Sequence, residues 1–371
     1  MKWYGLSWLW ILGFSGLAFG GEAGSSREAE WKKAVDAANK EGQVTIYPGA
    51  GQSLLPIEAG VFQKRFPEIK VVTAVSGDNV RLLSERRAGK YLADIVVGGS
   101  NPILELYQAK ALAPMPDAMI LPEVRDASKW WQGKHRYVDP ERQYVFVFVG
   151  VPDRGSIYYN TRLVNPAEIR SFFDFLNPKW KSKIEVRDIR LPGSGQPNIR
   201  AFYYNSRLGP EFIRRLISEM DVTLFRDRRQ AVDWLATGKF PICFFCTRSD
   251  ISRAQGQGLP VGMFGSLKEG MGVTSSSGNI GLVDRPAHPN AAKVYLNWFL
   301  SREGQLTLQS EYAKAKVTAS NSLRIDISKD MVPPDERLKD GVDYVDVETP
   351  DRMSMDPVLK VFNEALGRAG K

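Results

Sequence analysis

The chain has 371 residues, 43% hydrophobic and 25% charged, the make-up of a globular protein with room for two lobes. Its net charge of +8 comes from 50 lysines and arginines interleaved with 42 acids, not from a basic tract. No RNP, helix-turn-helix or zinc-finger pattern accompanies that charge, so a nucleic-acid-binding surface is set aside.

Lys2 precedes an apolar run, Leu6–Phe19, and Ala18-Phe19-Gly20 offers the small residues of a cleavage site. The run is shorter than the roughly 20 residues of a membrane span. Residues 1–20 are therefore expected to be a secretory signal peptide, and the mature protein exported and soluble. No cysteine near the cleavage point supports an acyl anchor.

Arg27–Glu41 has helical composition and stops at Gly42, a plausible C-cap. Val44–Tyr47 reads as a strand running into the glycine-rich loop Gly49-Ala50-Gly51-Gln52-Ser53, followed by an amphipathic helix that ends at Pro67. IKVVTAV is a second strand, with Ser76-Gly77-Asp78-Asn79 as its loop and a helix beyond. ADIVVGGSNP is a third, with Gly98-Gly99-Ser100 at its end. Strand, loop and helix in succession predict βαβ units and a parallel sheet whose loops gather at the carboxyl ends of the strands. The pattern returns later: KIEV runs into the PGSG loop, VTLFRD lies between two helices, and PICFFCTRSDI passes from strand to loop. The fold class is thus α/β, two βα lobes with a ligand cleft between them.

The only cysteines, Cys243 and Cys246, sit in ICFFCTRSD. In an extended strand, residues three apart lie about 10 Å apart, beyond the roughly 4.4–6.8 Å a disulfide spans. The expectation is a pair of buried or strand-end thiols, with a disulfide left open should the chain turn at Cys246. No further ligands accompany them, so a metal site is not expected. His135 and His288 lack metal-ligand or general-base neighbours and read as surface or packing residues. No G-x-S-x-G elbow is present and no acid pair stands out, so catalysis is not expected. Trp130, Trp131, Tyr137 and Tyr144 read as packing rather than a sugar-stacking platform.

The ordered set VTIYPGAG, DIVVGGS, SIYYNTRLV, FDFLNPKWKSKI, PGSG, QAVDWLATG and AAKVYLNWFLSREGQ resembles solute-binding proteins of ABC importers, over residues 40 to 320. The nearest group is the two-lobed type II proteins that include the ferric-ion-binding ones. The resemblance implies a first lobe of residues 21–155 and 279–371, a second of 156–278, and crossover strands Ile157–Asn160 and Ser275–Val283. It also implies hinge closure on a small solute, delivery to a membrane permease, a monomer, and no cofactor. The histidine and glutamate that hold iron in that group are replaced here by Gly51 and by Gly98 or Gly99, and the tyrosine pair falls near Arg248-Ser249. A hard trivalent cation wants anionic oxygen ligands, so iron is the alternative and an organic anion the expectation.

Glycine loops that open helices present N–H groups and the positive end of the helix dipole to an anion, and guanidinium forks suit carboxylate or phosphate. The candidate ligand-binding residues are Gly49, Gly51, Gln52, Ser53, Ser76, Asn79, Gly99 and Ser100 from the first lobe. The second adds Arg187, Arg190, Ser194, Gly195, Thr247, Arg248 and Ser249, and the crossover strands add Tyr159 and Asn279.

Overall fold

The computed structural model describes residues 21–49, 55–74, 79–153, 155–191, 193, 195–315 and 320–370. The expected signal peptide (residues 1–20), Gly51, Gln52, Ser53, Ser76 and Ser194 lie outside the described residues.

The chain opens with α1 (Gly21–Glu41), which stops at Gly42 with φ +68°, as its C-cap role requires. Then come β1 (Gln43–Pro48), α2 (Leu55–Arg65), β2 (Lys70–Thr73), α3 (Asn79–Arg87), β3 (Ile95–Gly98) and α4 (Ser100–Gln108). The short β4 (Leu112–Ala113) and α5 (Pro122–Arg125) lead to β5 (Phe146–Val147) and β6 (Val151–Asp153). The second half runs β7 (Ile157–Asn160), β8 (Ile184–Arg187), α6 (Gly195–Tyr204), α7 (Gly209–Glu219), β9 (Thr223–Phe225), α8 (Arg228–Thr237), β10 (Ile242–Phe244), α9 (Arg248–Gly256) and β11 (Val261–Met263). It closes with β12 (Met271–Thr274), β13 (Asn279–Val283), α10 (Pro289–Leu300), α11 (Arg302–Lys314), β14 (Tyr344–Asp346) and α12 (Asp356–Arg368).

Among the described residues these strands form three sheets. The first has the order β2-β1-β3-β13-β4, with β5 also on β13; β1, β2 and β3 are parallel and β13 is antiparallel. The second is β11-β7-β10-β8-β9, parallel across β10, β8 and β9. Each sheet carries its own core. Phe62, Ile95, Phe146, Tyr295 and Leu296 belong to the first, and Phe175, Ile184, Phe212 and Phe244 to the second. β10 and β8 are buried throughout, as strands covered by helices on both faces must be.

The third sheet joins the halves: β12 pairs antiparallel with β6 and parallel with β14. This corrects the expected crossovers. Ile157–Asn160 is a full member of the second sheet, bonded to both β10 and β11. The later expected crossover, Ser275–Val283, is mostly β13 of the first sheet. The strands that run between the sheets are β6 and β12, each just before the segment expected in that role.

A second departure concerns the C-terminus. Residues 279–371 are expected with the first lobe, but α12 packs on α7 in the second core. Its buried face, Val358, Val361, Phe362, Ala365 and Leu366, has the three-and-four spacing of an amphipathic helix and meets Phe212, Leu216 and their neighbours.

The expectation of free thiols is also overturned: Cys243 and Cys246 form a disulfide. The extended geometry stops at Phe244, and Phe245 takes φ +67°, which folds the chain back and brings the two Cα atoms to 6.0 Å.

Candidate functional site

The chemistry gathers where the strands of both sheets end. Gly49, past β1, donates its N–H to Val97 O at 2.7 Å, and a Cβ on Gly49 would come within 3.2 Å of Gly98 Cα. Two chain segments therefore cross in contact, which only glycine allows. Gly99 caps α4 without a side chain, leaving the first turn of that helix open to an acceptor. Asn279 holds this corner from beneath: its buried amide donates to Gly98 O at 3.0 Å and to Ser275 Oγ at 2.9 Å.

On the other side, β8 delivers Arg187, which is 8% exposed, to the start of α6. A Cβ on Gly193, whose φ is +133°, would stand 3.4 Å from Arg187 Nη2. One on Gly195 would stand 3.4 Å from Arg187 Cδ. The glycines thus make room for the guanidinium beside the helix N-terminus. Burial, followed by the charge of Arg228, lowers the Arg187 pKa from the usual arginine value, and the group stays cationic. α4 and α6 meet through their second residues: Asn101 Nδ2 donates to Gln196 Oε1 at 3.2 Å. Two helix N-termini, one from each half, so face one region together with a buried arginine. Such a constellation suits an anion.

The C-terminal segment enters the same region. Glu348, 2% exposed, accepts from Ser275 N–H at 2.6 Å, Ser100 Oγ at 3.2 Å and Thr274 Oγ1 at 3.3 Å. Arg200, fully buried on α6, adds its charge to the surroundings of Glu348. Asp153, at the end of β6, is pushed up to about 6 by burial, against its bonds from Gly155 N–H and Ser156 Oγ.

Of the predicted residues, Gly49, Gly99, Ser100, Asn279, Arg187 and Gly195 come together. Thr247 and Arg248, expected in a loop past the strand, instead cap and open α9, and Arg248 is bonded to Asp335 Oδ2 at 2.7 Å. Ser249 is exposed on the same turn. Three residues belong elsewhere. Arg190 clamps both oxygens of Asp188, at 2.7 and 2.8 Å, and its hydrogen bonds lead the causes that lower the Asp188 pKa. Asn79 donates to Glu105 across α3 and α4. Tyr159 packs at a tilt against Phe264, ring centroids 4.5 Å apart, over Gly262 in the second sheet's packing. Sequence reasoning missed Asn101, Gln196, Thr274, Ser275 and Glu348. Asn101 and Gln196 follow glycine loops and carried that signal; Glu348 lies in the C-terminal stretch, where no motif marks it.

His135 and Tyr137 pack as expected, whereas His288, expected without an acid neighbour, is held by the buried Asp94. His288 bonds Asp94 at 2.9 Å, His135 lies against Trp130 and Phe146, and Tyr137 also packs on Phe146.

No protein-family model and no curated protein matches the sequence. Solved structures do match. The Trichodesmium protein IdiA (FutA), in complex with iron and citrate ligands, is 18% identical with a TM-score of 0.61, covering 89% of this chain and 99% of that one. Iron-bound HitA from Pseudomonas aeruginosa is 16% identical with a TM-score of 0.59, over 87% and 99%. AfuA from Actinobacillus pleuropneumoniae, a periplasmic binding protein with fructose-6-phosphate bound, is 17% identical with a TM-score of 0.56, over 88% and 98%. The fold is that of the two-lobed periplasmic binding proteins. Among the described residues no helix is long and apolar enough to cross a membrane.

Proposed function

We propose that the chain is the solute-binding component of an ABC importer, capturing a small organic anion between its lobes by hinge closure and handing it to a permease. It acts outside the cytoplasm, as a monomer and without catalysis. The observation that carries this is the pair of facing helix N-termini, α4 and α6, with Arg187 buried beside the second. The bond from Asn101 to Gln196 is the kind of contact that closure makes and opening breaks. The fold likeness supports the transport reading, since matching structures include periplasmic binding proteins and an ABC-transporter substrate-binding protein.

Ferric iron is the second reading, favoured by the iron held in IdiA and HitA. Native mass spectrometry of the purified chain, followed by thermal shifts with carboxylates, phosphates and ferric citrate, tests both. One anion that raises the melting temperature without being turned over supports the first reading. A visible ferric charge-transfer band on loading would replace it with the second. A product detected from the solute would overturn both.

A further inference from the structure

The second sheet contains a buried acid that the solute site does not use. Glu185, on β8, is fully buried, and neither carboxyl oxygen has a hydrogen-bond partner among the described residues. Buried polar groups are nearly always paired, so an orphan of this kind calls for a reason. Its strand neighbour in register is Cys243 on β10, and a carboxyl oxygen of Glu185 lies within 4.8 Å of the sulfurs of both Cys243 and Cys246. Cys246 stands toward a helix: α9 begins two residues later, after its cap Thr247.

The two sulfurs therefore have different chemistry. A thiolate at Cys246 is stabilised by the positive end of α9, the setting that lowers a cysteine pKa. Cys243, in the apolar strand, has instead an acid that desolvation keeps protonated, pushed up to about 9 with the charge of Lys239 opposing. A buried acid proton beside both sulfurs and a helix N-terminus just beyond Cys246 make an arrangement for opening the bond, not only for holding a turn.

We propose that Cys243–Cys246 is a redox-active disulfide that exchanges with small dithiols, with Glu185 as its proton donor. A dithiol thiolate attacks Cys246 Sγ, forming a mixed disulfide while the S–S bond breaks and the electron pair leaves on Cys243 Sγ. Glu185 protonates that sulfur as it leaves. The second thiol of the reductant then displaces Cys246, closing the reductant's own disulfide; its released proton restores Glu185. Two electrons pass from the dithiol to the cysteine pair, and protons balance. Cys246, at 3% exposure, is the less buried of the two residues, and a small thiol is the class of reactant proposed for it. Opening the bond also frees the left-handed Phe245 turn that leads to Arg248.

The test uses the oxidised full-length chain and dithiothreitol under native conditions, with quenched alkylation and intact mass to follow thiols. The expected result is reduction that does not depend on global unfolding, as judged by its insensitivity to low urea. Glu185→Gln slows it about 100-fold, the usual scale of general-acid catalysis, and Glu185→Asp restores part of the rate. Should the Glu185 variants not fold, the wild-type chain still decides. A monothiol, glutathione, forms its adduct on Cys246 in peptide mapping. Reduction only at the rate of unfolding, an unchanged rate in Glu185→Gln, or an adduct on Cys243 overturns the proposal.

Discussion

Arg187 is the residue on which the solute reading most depends. A cation taken out of water beside a helix N-terminus is costly unless an anion or fixed dipoles answer it, and Gly193 and Gly195 are shaped around its side chain. Arg187→Gln keeps much of the volume and removes the charge. It is expected to weaken solute binding about 10- to 100-fold, the worth of a charge-assisted hydrogen bond, with unchanged circular dichroism. Co-purified solute retained at the wild-type level in native mass spectra would remove Arg187 from the site. Arg190, an equal candidate by sequence, is engaged by Asp188 two residues away. That distinction was not legible in the strand pattern, because both arginines follow the same strand and only the turn decides which one faces inward.

Glu58 gives the residue scale a pH dependence. Burial raises its pKa from 4.5 to about 8, against the Tyr312 bond, with Glu311 adding to the rise. The folded chain thus keeps a proton that the unfolded chain has already lost. Stability from this group is full below 4.5 and falls as pH climbs toward about 8. Glu58→Gln is expected to flatten that decline, read as urea midpoints at pH 5 and pH 8. Equal slopes in the two proteins would show that Glu58 does not titrate this way.

At the scale of elements, the βαβ order was legible because strands buried on both faces read as apolar runs and their loops as glycine clusters. Gly49 and Gly98-Gly99 were found this way, as was the start of α6, whereas the stretch after Cys246, read as loop, opens α9. What escaped was pairing at a distance. Nothing local distinguishes β6 and β12 from the segments that follow them, since a crossover is defined by its partners. The same holds for α12, whose amphipathic face was visible but whose docking surface was not. That face now makes a prediction. Phe362 is fully buried against the second core, so Phe362→Ala should cost about 3–5 kcal/mol in urea unfolding. Hydrogen exchange should rise on α7 and α12 and leave α10 unchanged. Loss of protection on α10 instead would place the helix with the first core.

For the whole molecule, the number of connections between cores sets how the lobes can move. The chain passes between them through β6 and β12, and the C-terminal segment adds β14 to the same sheet before α12 reaches the second core. Glu348 pins that third strand to Ser275 and Ser100, so hinge and first-lobe helix share one carboxylate. On the proposed hinge closure, bending falls at this sheet, and the bond between Asn101 and Gln196 is a contact between the two halves that opening would break. Gln196→Ala removes that contact together with the 3.4 Å bond from Gln196 Nε2 to Ile189 O. The solute-free variant is expected to show a larger radius of gyration than the wild-type chain in X-ray scattering. Saturating solute should bring both to the same compact value, because solute bound only by the closed form adds about 2.7 kcal/mol at 100 times its Kd. A variant that stays expanded with solute bound would show that closure rests on the Gln196 contact rather than on the solute. Equal radii without solute would show that the hinge sheet alone sets the closed geometry.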